Sequence, residues 1–334
     1  MRRVILAGDI GGTKTRLALY EAGSSPRTPR REQRFPSRDY PSLEALVTSF
    51  LAGGRPTEVV LGIAGPVVDG VVHATNLPWR IETQAMAQTL GARVTLINDL
   101  AATGLGLPVL APTEFAVLQR GAPRAGARAL IAAGTGLGEA MLAADGLSWR
   151  ALPSEGGHTD FAPRDDLEDE LLAWLRTRHD HVSFERVLSG AGLVELYRFF
   201  QATRRGTAPD AFEAAFATAA DPAPLVSAAG TDGSCDRARQ VVERFVSIYG
   251  SEAGNLALKM LAVAGVYVAG GIAPHLVPVM SEGGFVRSFV AKGRMGPLLE
   301  NIPVVVVLDD RCALWGAAAA ALGHAAGHGA EAGS

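Results

Sequence analysis

The chain has little cysteine: two residues, Cys235 and Cys312, in 334. They stand far apart and form no C-x-x-C pair, so neither a disulfide framework nor a cysteine-built zinc site is indicated, and two unpaired thiols suit a reducing compartment. It also lacks an excess of charge of either sign. Thirty-one basic against 34 acidic residues leave a net charge of −3. That provides no field to gather a polyanion, which argues against a nucleic-acid partner. No apolar run reaches the roughly 18 residues of a membrane span. The nearest thing to a leader is Met1-Arg2-Arg3 followed by Val4 to Gly8. Asp9 cuts that run well short of the about 7–15 apolar residues a signal needs. These absences predict a cytoplasmic protein that engages neither membrane nor nucleic acid.

What is present is a globular balance, 48% hydrophobic and 19% charged, over a length that suits two packed domains. Val4–Ala7 reads as a buried strand, Asp9 to Thr13 as a turn, and Thr15–Tyr20 as a second strand. Glu21–Pro36, rich in Ser, Pro and Arg, reads as a solvated hairpin or loop. Helical spacing follows at Leu43–Leu51 and Glu82–Leu90. Strands are predicted at Glu58–Ile63, Val71–His73 and Arg93–Ile97, and a helix near Asp99–Leu107. Ala129–Ala133 and Leu137–Ala143 form a strand pair around Gly134-Thr-Gly136. From Asp165 to Leu261 the pattern is helical, broken most clearly at Gly230-Thr-Asp-Gly-Ser234, with one long helix over Asp236–Leu261. Strands at Val266–Ala269 and Val304–Leu308 and an alanine-rich helix over Arg311–Leu322 complete an α/β chain. The small polar tail His324–Ser334 is expected to fray, which makes the metal-like spacing of His324 and His328 a decoy.

Three strand-to-glycine junctions carry the chemistry. Gly8-Asp-Ile-Gly-Gly-Thr-Lys-Thr15 misses the P-loop pattern at Thr13 and opens a strand, not a helix. Gly11 and Gly12 permit positive φ and bring backbone N–H groups close to an anion. Asp9 beside a phosphate requires an intervening cation, and Mg²⁺ held through water is the economical choice. An ordinary glycine hairpin is the plainer alternative; Asp9 before the glycines and Thr13 after them favour phosphate. Gly134-Thr135-Gly136-Leu-Gly138 repeats the strand–turn–strand shape, which suggests a weak internal duplication, although alone it is equally a plain hairpin. Gly270-Gly271 after Val266–Ala269 suits close approach of a flat ligand such as adenosine, or simple helix–strand packing.

Asn98 and Asp99 end a buried strand, where ligands of α/β folds bind. Phosphoryl transfer to an alcohol needs a carboxylate to orient the hydroxyl and take its proton. Asp99 has that chemistry, but judged by itself it reads as a helix cap. Ser154-Glu155-Gly-Gly-His158 places a carboxylate and an imidazole on one glycine turn, suited to vicinal hydroxyls. Glu185 sits at a predicted helix start, where compensation of the helix dipole explains it locally. The acidic set Asp99, Glu155 and Glu185, with no arginine cluster, suits a neutral polyol better than a sugar acid or sugar phosphate.

In order along the chain come Asp9-Ile-Gly-Gly-Thr13, Gly62-Ile-Ala-Gly-Pro66, Thr75-Asn-Leu-Pro-Trp79, Ile97-Asn-Asp-Leu100, Gly134-Thr-Gly-Leu-Gly138, Glu155-Gly-Gly-His158, Glu185-Arg-Val-Leu-Ser-Gly190 and Ala269-Gly-Gly271. This series closely resembles the bacterial glucokinase family of the actin-like ATPase superfamily, over nearly the whole chain. The resemblance implies two ribonuclease-H-like α/β domains flanking a catalytic cleft that closes by hinge motion. The small domain would comprise residues 1–108 plus 311–334, the large one 109–310 with helical insertions. ATP phosphates would meet Gly8, Asp9, Ile10, Gly11, Gly12 and Thr13 and the loop Gly134, Thr135 and Gly136, with adenosine near Gly270 and Gly271. Glucose would meet Asn76, Asn98, Asp99, Glu155, His158 and Glu185, with Asp99 activating the 6-hydroxyl and Mg²⁺ near Asp9. The related repressor/kinase (ROK) family carries a cysteine-rich zinc loop after its Glu-Gly-Gly-His; here Thr159-Asp-Phe-Ala-Pro-Arg164 has no cysteine, which implies the zinc-free branch. The resemblance leaves a homodimer, the strictness for glucose, and a non-enzymatic sugar sensor on the same fold as open alternatives.

Overall fold

A computed structural model describes residues 3–74, 76–122, 124–145 and 148–323. The tail expected to fray, the His324 and His328 pair, Thr75, and the start at Met1-Arg2 lie outside the described residues. The chain divides into two compact units: Met1–Pro112, Leu142–Pro153 and Asp309–Ser334 form the first, Thr113–Met141 and Ser154–Leu308 the second.

In the first unit, β1 (Val4–Ile10) turns back into β2 (Lys14–Glu21) and then β3 (Arg31–Pro36). β4 (Glu58–Ile63) and β7 (Arg93–Asn98) lie parallel to β1, giving the order β3-β2-β1-β4-β7. A small separate ribbon pairs β5 (Val71–His73) with β6 (Arg80–Glu82). Side chains alternate across the sheet. Leu6, Ile10, Leu17, Val59 and Leu61 pack with Leu43, Leu46, Val47 and Phe50 of the first helix. Ile5, Ala7, Ala18, Tyr20 and Val60 pack with Leu314, Ala317, Ala318 and Ala321 of helix Cys312–Leu322. The glycines in this contact have a steric reason. A Cβ at Gly316 would lie 1.7 Å from the Ala102 carbonyl oxygen, and one at Gly106 2.0 Å from that of Cys312. Helices Asp99–Gly106 and Cys312–Leu322 therefore meet backbone to backbone.

β3 corrects the reading of Glu21–Pro36 as loop throughout. Arg31–Pro36 pairs with β2 from Leu19↔Arg31 to Lys14↔Pro36. It is an edge strand with only Phe35 buried, so it shows no alternation of apolar residues.

The second unit holds β8 (Phe115–Gln119), β9 (Arg128–Ala133), β12 (Val266–Ala269) and β13 (Val304–Val307); β10 (Leu137–Asp145) and β11 (Ser148–Ser154) complete a sheet ordered β11-β10-β9-β12-β13-β8. β12 runs parallel to β9 and β13, and β8 closes the edge antiparallel. Leaving out β8, both sheets show a sequential three-strand run followed by two crossover strands, in keeping with an internal duplication. β6, β8 and β11 were not evident in the sequence. The helical region is as read, and its long helix spans Asp236–Met260. The break falls at Gly233, which is left-handed with φ +76. Gly230 instead lies inside a helix, where a Cβ would approach the Ala238 carbonyl oxygen to 2.5 Å.

Candidate active site

The first unit gathers its acids at the carboxyl ends of parallel strands. Asp9 ends β1 opposite Arg16, and in parallel register with Gly62 of β4, which in turn pairs with Ile97 of β7. Asp99 follows two residues after Ile97, about two strand spacings (~10 Å) from Asp9. Burial pushes the Asp9 carboxyl up to about 7; the charge of Asp99 adds to the rise and that of Asp310 adds further, against the opposing pull of Arg16. Arg16 is itself buried, donates to Asp310 Oδ2 at 2.8 Å, and among the described residues its Nη1 has no hydrogen-bond partner, only an ion pair with Glu32 Oε1 at 3.6 Å. Arg34 also donates to Asp310 Oδ2 at 2.5 Å, so the three carboxylates Asp9, Asp99 and Asp310 face two guanidiniums, and the negative balance suits a bound cation.

The cap of helix Asp99–Gly106 is not Asp99. Asn98 Oδ1 accepts from Leu100 N at 2.9 Å and Ala101 N at 3.2 Å, and Asn98 Nδ2 donates to the Gly65 carbonyl at 3.2 Å. The expectation that Asp99 alone would read as a cap is therefore corrected. Asn98, expected to meet substrate, spends its oxygen on the helix. Asp99 sits half-buried in the first turn, where its Oδ1 also accepts from Leu100 N at 2.9 Å.

In the Gly8–Thr13 turn Gly8 and Gly11 meet close neighbours. Gly11 does not adopt positive φ; a Cβ there would lie 3.0 Å from the Lys14 carbonyl oxygen. Gly11 N donates to that same oxygen at 3.0 Å. Gly8 is required by packing, since a Cβ would come within 2.6 Å of Leu61 Cδ2. Ile10 is buried in the core, so only its backbone faces the turn. Ser37 buttresses the turn: its Oγ donates to the Gly11 carbonyl at 2.7 Å and its N donates to the Thr13 carbonyl at 3.0 Å. Gly12 and Thr13 lie in this turn, Thr13 exposed. Asn76 is exposed in the loop between β5 and β6, in the left-handed region at φ +63.

The second unit brings its predicted residues together. β9 and β12 end side by side, Ala132 beside Ala269. Their glycines adjoin, so that a Cβ on Gly134 would lie 4.0 Å from Gly271 N. Gly270 has φ +85, and a Cβ would sit 2.2 Å from the Ala133 carbonyl oxygen, so it serves packing; Gly271 faces open space. Tyr249 Oη fastens these strand ends, accepting from Ala133 N at 3.0 Å. Glu185 reaches into the same loop. Its Oε2 accepts from Leu137 N at 3.0 Å, and a Cβ at Gly136 would approach it to 2.4 Å. Its Oε1 is 3.9 Å from His158 Nδ1, and His158 Nε2 is 3.8 Å from Glu155 Oε2. Glu155, His158 and Glu185 thus form one row beside the Gly134–Gly136 turn, with Glu155 and His158 more than half exposed. Glu185 lies in a short 3-10 turn; the α-helix begins at Gly190 with Ser189 as its cap, so dipole compensation does not explain Glu185.

Sequence reasoning missed Arg16, Ser37, Asp310, Tyr249, and the buried acids Glu139 and Glu252. Glu139 gave a signal: it is the lone charge in the apolar strand Leu137-Gly-Glu-Ala-Met141. Arg16 and Ser37 act through contacts across strands and left no local pattern.

A family model described as Glucokinase matches residues 6–324. A curated glucokinase of Trichormus variabilis is 40% identical, covering 94% of this chain and 98% of its own. Among solved structures, a glucokinase from an Antarctic psychrotroph is 32% identical with a TM-score of 0.79, covering 96% of this chain and 99% of its own. A Balamuthia mandrillaris glucokinase solved in complex with glucose shares the fold at a TM-score of 0.81 and 22% identity, over 96% of this chain and 94% of its own.

Proposed function

Because the chain belongs to the glucokinase family, we propose that it transfers the γ-phosphoryl group of ATP to the 6-hydroxyl of glucose, giving glucose 6-phosphate and ADP. The observation that carries the mechanism is the division of labour between Asn98 and Asp99. Asn98 Oδ1 accepts from two N–H groups of the helix and Asp99 Oδ1 from one, and at the strand tip the Asp99 carboxylate would orient the sugar hydroxyl and accept its proton.

Glu155, His158 and Glu185 line the sugar side, with Asn76 and the remaining Asn98 N–H as further contacts. Glu185 also binds Leu137 N, so it couples the sugar contacts to the second phosphate loop. The backbone of Gly8–Thr13 and of Gly134–Gly136 receives the phosphates, and Gly271 leaves room for adenosine. Asp9 fits Mg²⁺ held through water: it is a half-buried carboxylate in an over-acidic site. When bound, the ion would neutralise charge on the transferring phosphoryl group. The cysteine-free segment Thr159–Arg164 supports a reading without zinc. The first unit would be the small domain and the second the large one, working in the cytoplasm on free glucose and ATP.

Initial rates of ADP formation on a panel of hexoses and amino sugars test this reading, with wild type beside Asp99→Ala. Glucose-dependent turnover that collapses in the variant is expected. A wild type with no sugar-dependent turnover would overturn it in favour of a non-enzymatic role.

A further inference from the structure

Beneath the Glu155–His158 turn lie two buried acids that the mechanism above does not use. Glu139 projects from β10 and Glu252 from helix Asp236–Met260, at 1% and 0% exposure. Each lies within the other's electrostatic reach, and Glu252 pushes the Glu139 carboxyl upward. Two ionised carboxylates buried together repel, and a proton held on one of them relieves that repulsion.

The surroundings of the two are unequal. Glu252 Oε2 accepts from Asn255 Nδ2 at 2.7 Å, and its Oε1 accepts from Lys259 Nζ at 3.3 Å. Glu139 Oε1 has no hydrogen-bond partner among the described residues. Glu252 therefore carries the charge and Glu139 the proton. Burial raises the Glu139 carboxyl to about 8, the charge of Glu252 adds to the rise, and Lys259 opposes it.

The other face of Glu139 meets the turn. A Cβ at Gly156 would come within 2.0 Å of Glu139 Oε2, and one at Gly157 within 2.1 Å of the Leu137 carbonyl oxygen. Ser154 Oγ donates to the Glu139 carbonyl at 3.2 Å and accepts from Gly156 N at 3.2 Å. The glycines that set Glu155 and His158 at their spacing thus rest directly on this acid and its strand.

We propose that Glu139 and Glu252 form a one-proton support that positions the Glu155–His158 turn for the sugar. Glu139 is a positioning residue, and this role rests on the sugar-site reading given above. The neighbours on every side are consistent with it. From helix Asp236–Met260 the pair meets Asn255, Lys259 and the buried phenol of Tyr249, whose ionisation Glu139 disfavours. From the loop after helix Gly284–Val290, Lys292 Nζ donates to Ser251 Oγ at 2.9 Å and to Asn255 Oδ1 at 2.6 Å. Arg164 and Glu168 act on Lys292 from beyond. Burial lowers the Lys292 ammonium to about 8, so it discharges in the range where Glu139 ionises. Alkaline pH thus leaves two facing anions with less positive charge around them, and their repulsion loosens the turn above.

Steady-state kinetics from about pH 6.5 to 9.5 on wild type, Glu139→Gln and Glu252→Gln test the proposal. Glutamine at 139 keeps the shape and donates to Glu252 at every pH, while Lys292 still titrates. In wild type, KM for glucose is expected to rise several-fold toward the alkaline end while KM for ATP holds. In Glu139→Gln, KM for glucose should stay flat. In Glu252→Gln KM for glucose should also stay flat, because an ionised Glu139 then faces a neutral amide that can donate to it and no repulsion between anions arises. Hydrogen exchange of the segment 154–159 without substrates, corrected for intrinsic rates, gives a readout independent of turnover. Its protection should fall with pH in wild type and not in Glu139→Gln. Wild type and Glu139→Gln that track each other in both measurements overturn the support. Loosening without a change in KM for glucose overturns the positioning role. Absence of sugar-dependent turnover would instead refute the kinase reading, and the exchange data would still decide whether the pair holds the turn.

Discussion

Asn98 and Asp99 are adjacent, and the structure assigns them separable consequences when altered. Asp99→Asn removes the carboxylate and leaves the Asn98 cap intact. The lost charge is the group we propose as base, so kcat should fall by about 10²–10⁴. Little else changes: Asp99 is half-buried, and the isosteric amide still reaches Leu100 N, so stability should move by less than about 0.5 kcal/mol. Asn98→Ala does the reverse. It removes the acceptor of two helix N–H groups and the donor to Gly65, which costs roughly 0.5–2 kcal/mol. For a chain of this size that is about 2–4 °C or less in thermal midpoint. A further sign follows from electrostatics. With Asp99 neutral, the Asp9 carboxyl should drop below about 7, because Asp99 is one of the charges that hold it up. The assay is glucose 6-phosphate formation under saturating substrates, paired with thermal unfolding of each variant. An Asp99→Asn enzyme that keeps more than about a tenth of the wild-type rate would refute the base. So would one that loses as much stability as Asn98→Ala, since Asp99 would then be structural.

Gly316→Ala places a Cβ 1.7 Å from the Ala102 carbonyl oxygen and must push apart the helix that begins at Asp99. We expect a loss of about 1–3 kcal/mol in urea unfolding together with a fall in kcat; unchanged values of both would show that the contact yields freely. Asp9→Asn should alter the pH dependence of stability in the metal-free protein. The folded state keeps a proton on Asp9 up to about 7 that the unfolded chain releases near 3.8. Wild-type stability therefore falls as pH rises through that window and levels above it. The variant lacks this slope, so its advantage should grow between those values and then stay constant; a gap that does not change with pH would contradict the burial of Asp9.

Much of this was legible in the sequence because buried parallel strands are continuous apolar runs. Glu58–Ile63 and Val304–Val307 are examples, and each predicted ligand loop sits where such a run stops. The Glu155–His158 turn was equally plain, since two glycines between an acid and an imidazole have few other uses. What escaped was set by contacts distant in sequence. β3 buries only Phe35, so its pairing partner and not its own pattern makes it a strand. The choice between Asn98 and Asp99 as cap depended on side-chain direction, which composition does not encode. Gly270 carried two readings, close approach of a flat ligand or packing, and a Cβ there would meet the Ala133 carbonyl oxygen at 2.2 Å, a contact that only the folded strands reveal.

The unit bearing Asp9 and Asp99 is discontinuous, and its sheet is covered on one side by Cys312–Leu322. During synthesis the five-stranded sheet emerges early, but its covering helix leaves the ribosome only after nearly all of the second unit. At about 5–20 residues per second, the apolar face of Ile5, Ala7, Ala18 and Tyr20 waits on the order of ten seconds or more for its lid. A nascent chain of this kind offers a natural client surface for a holding chaperone, and Asp99 gains its final seating only at the close of translation.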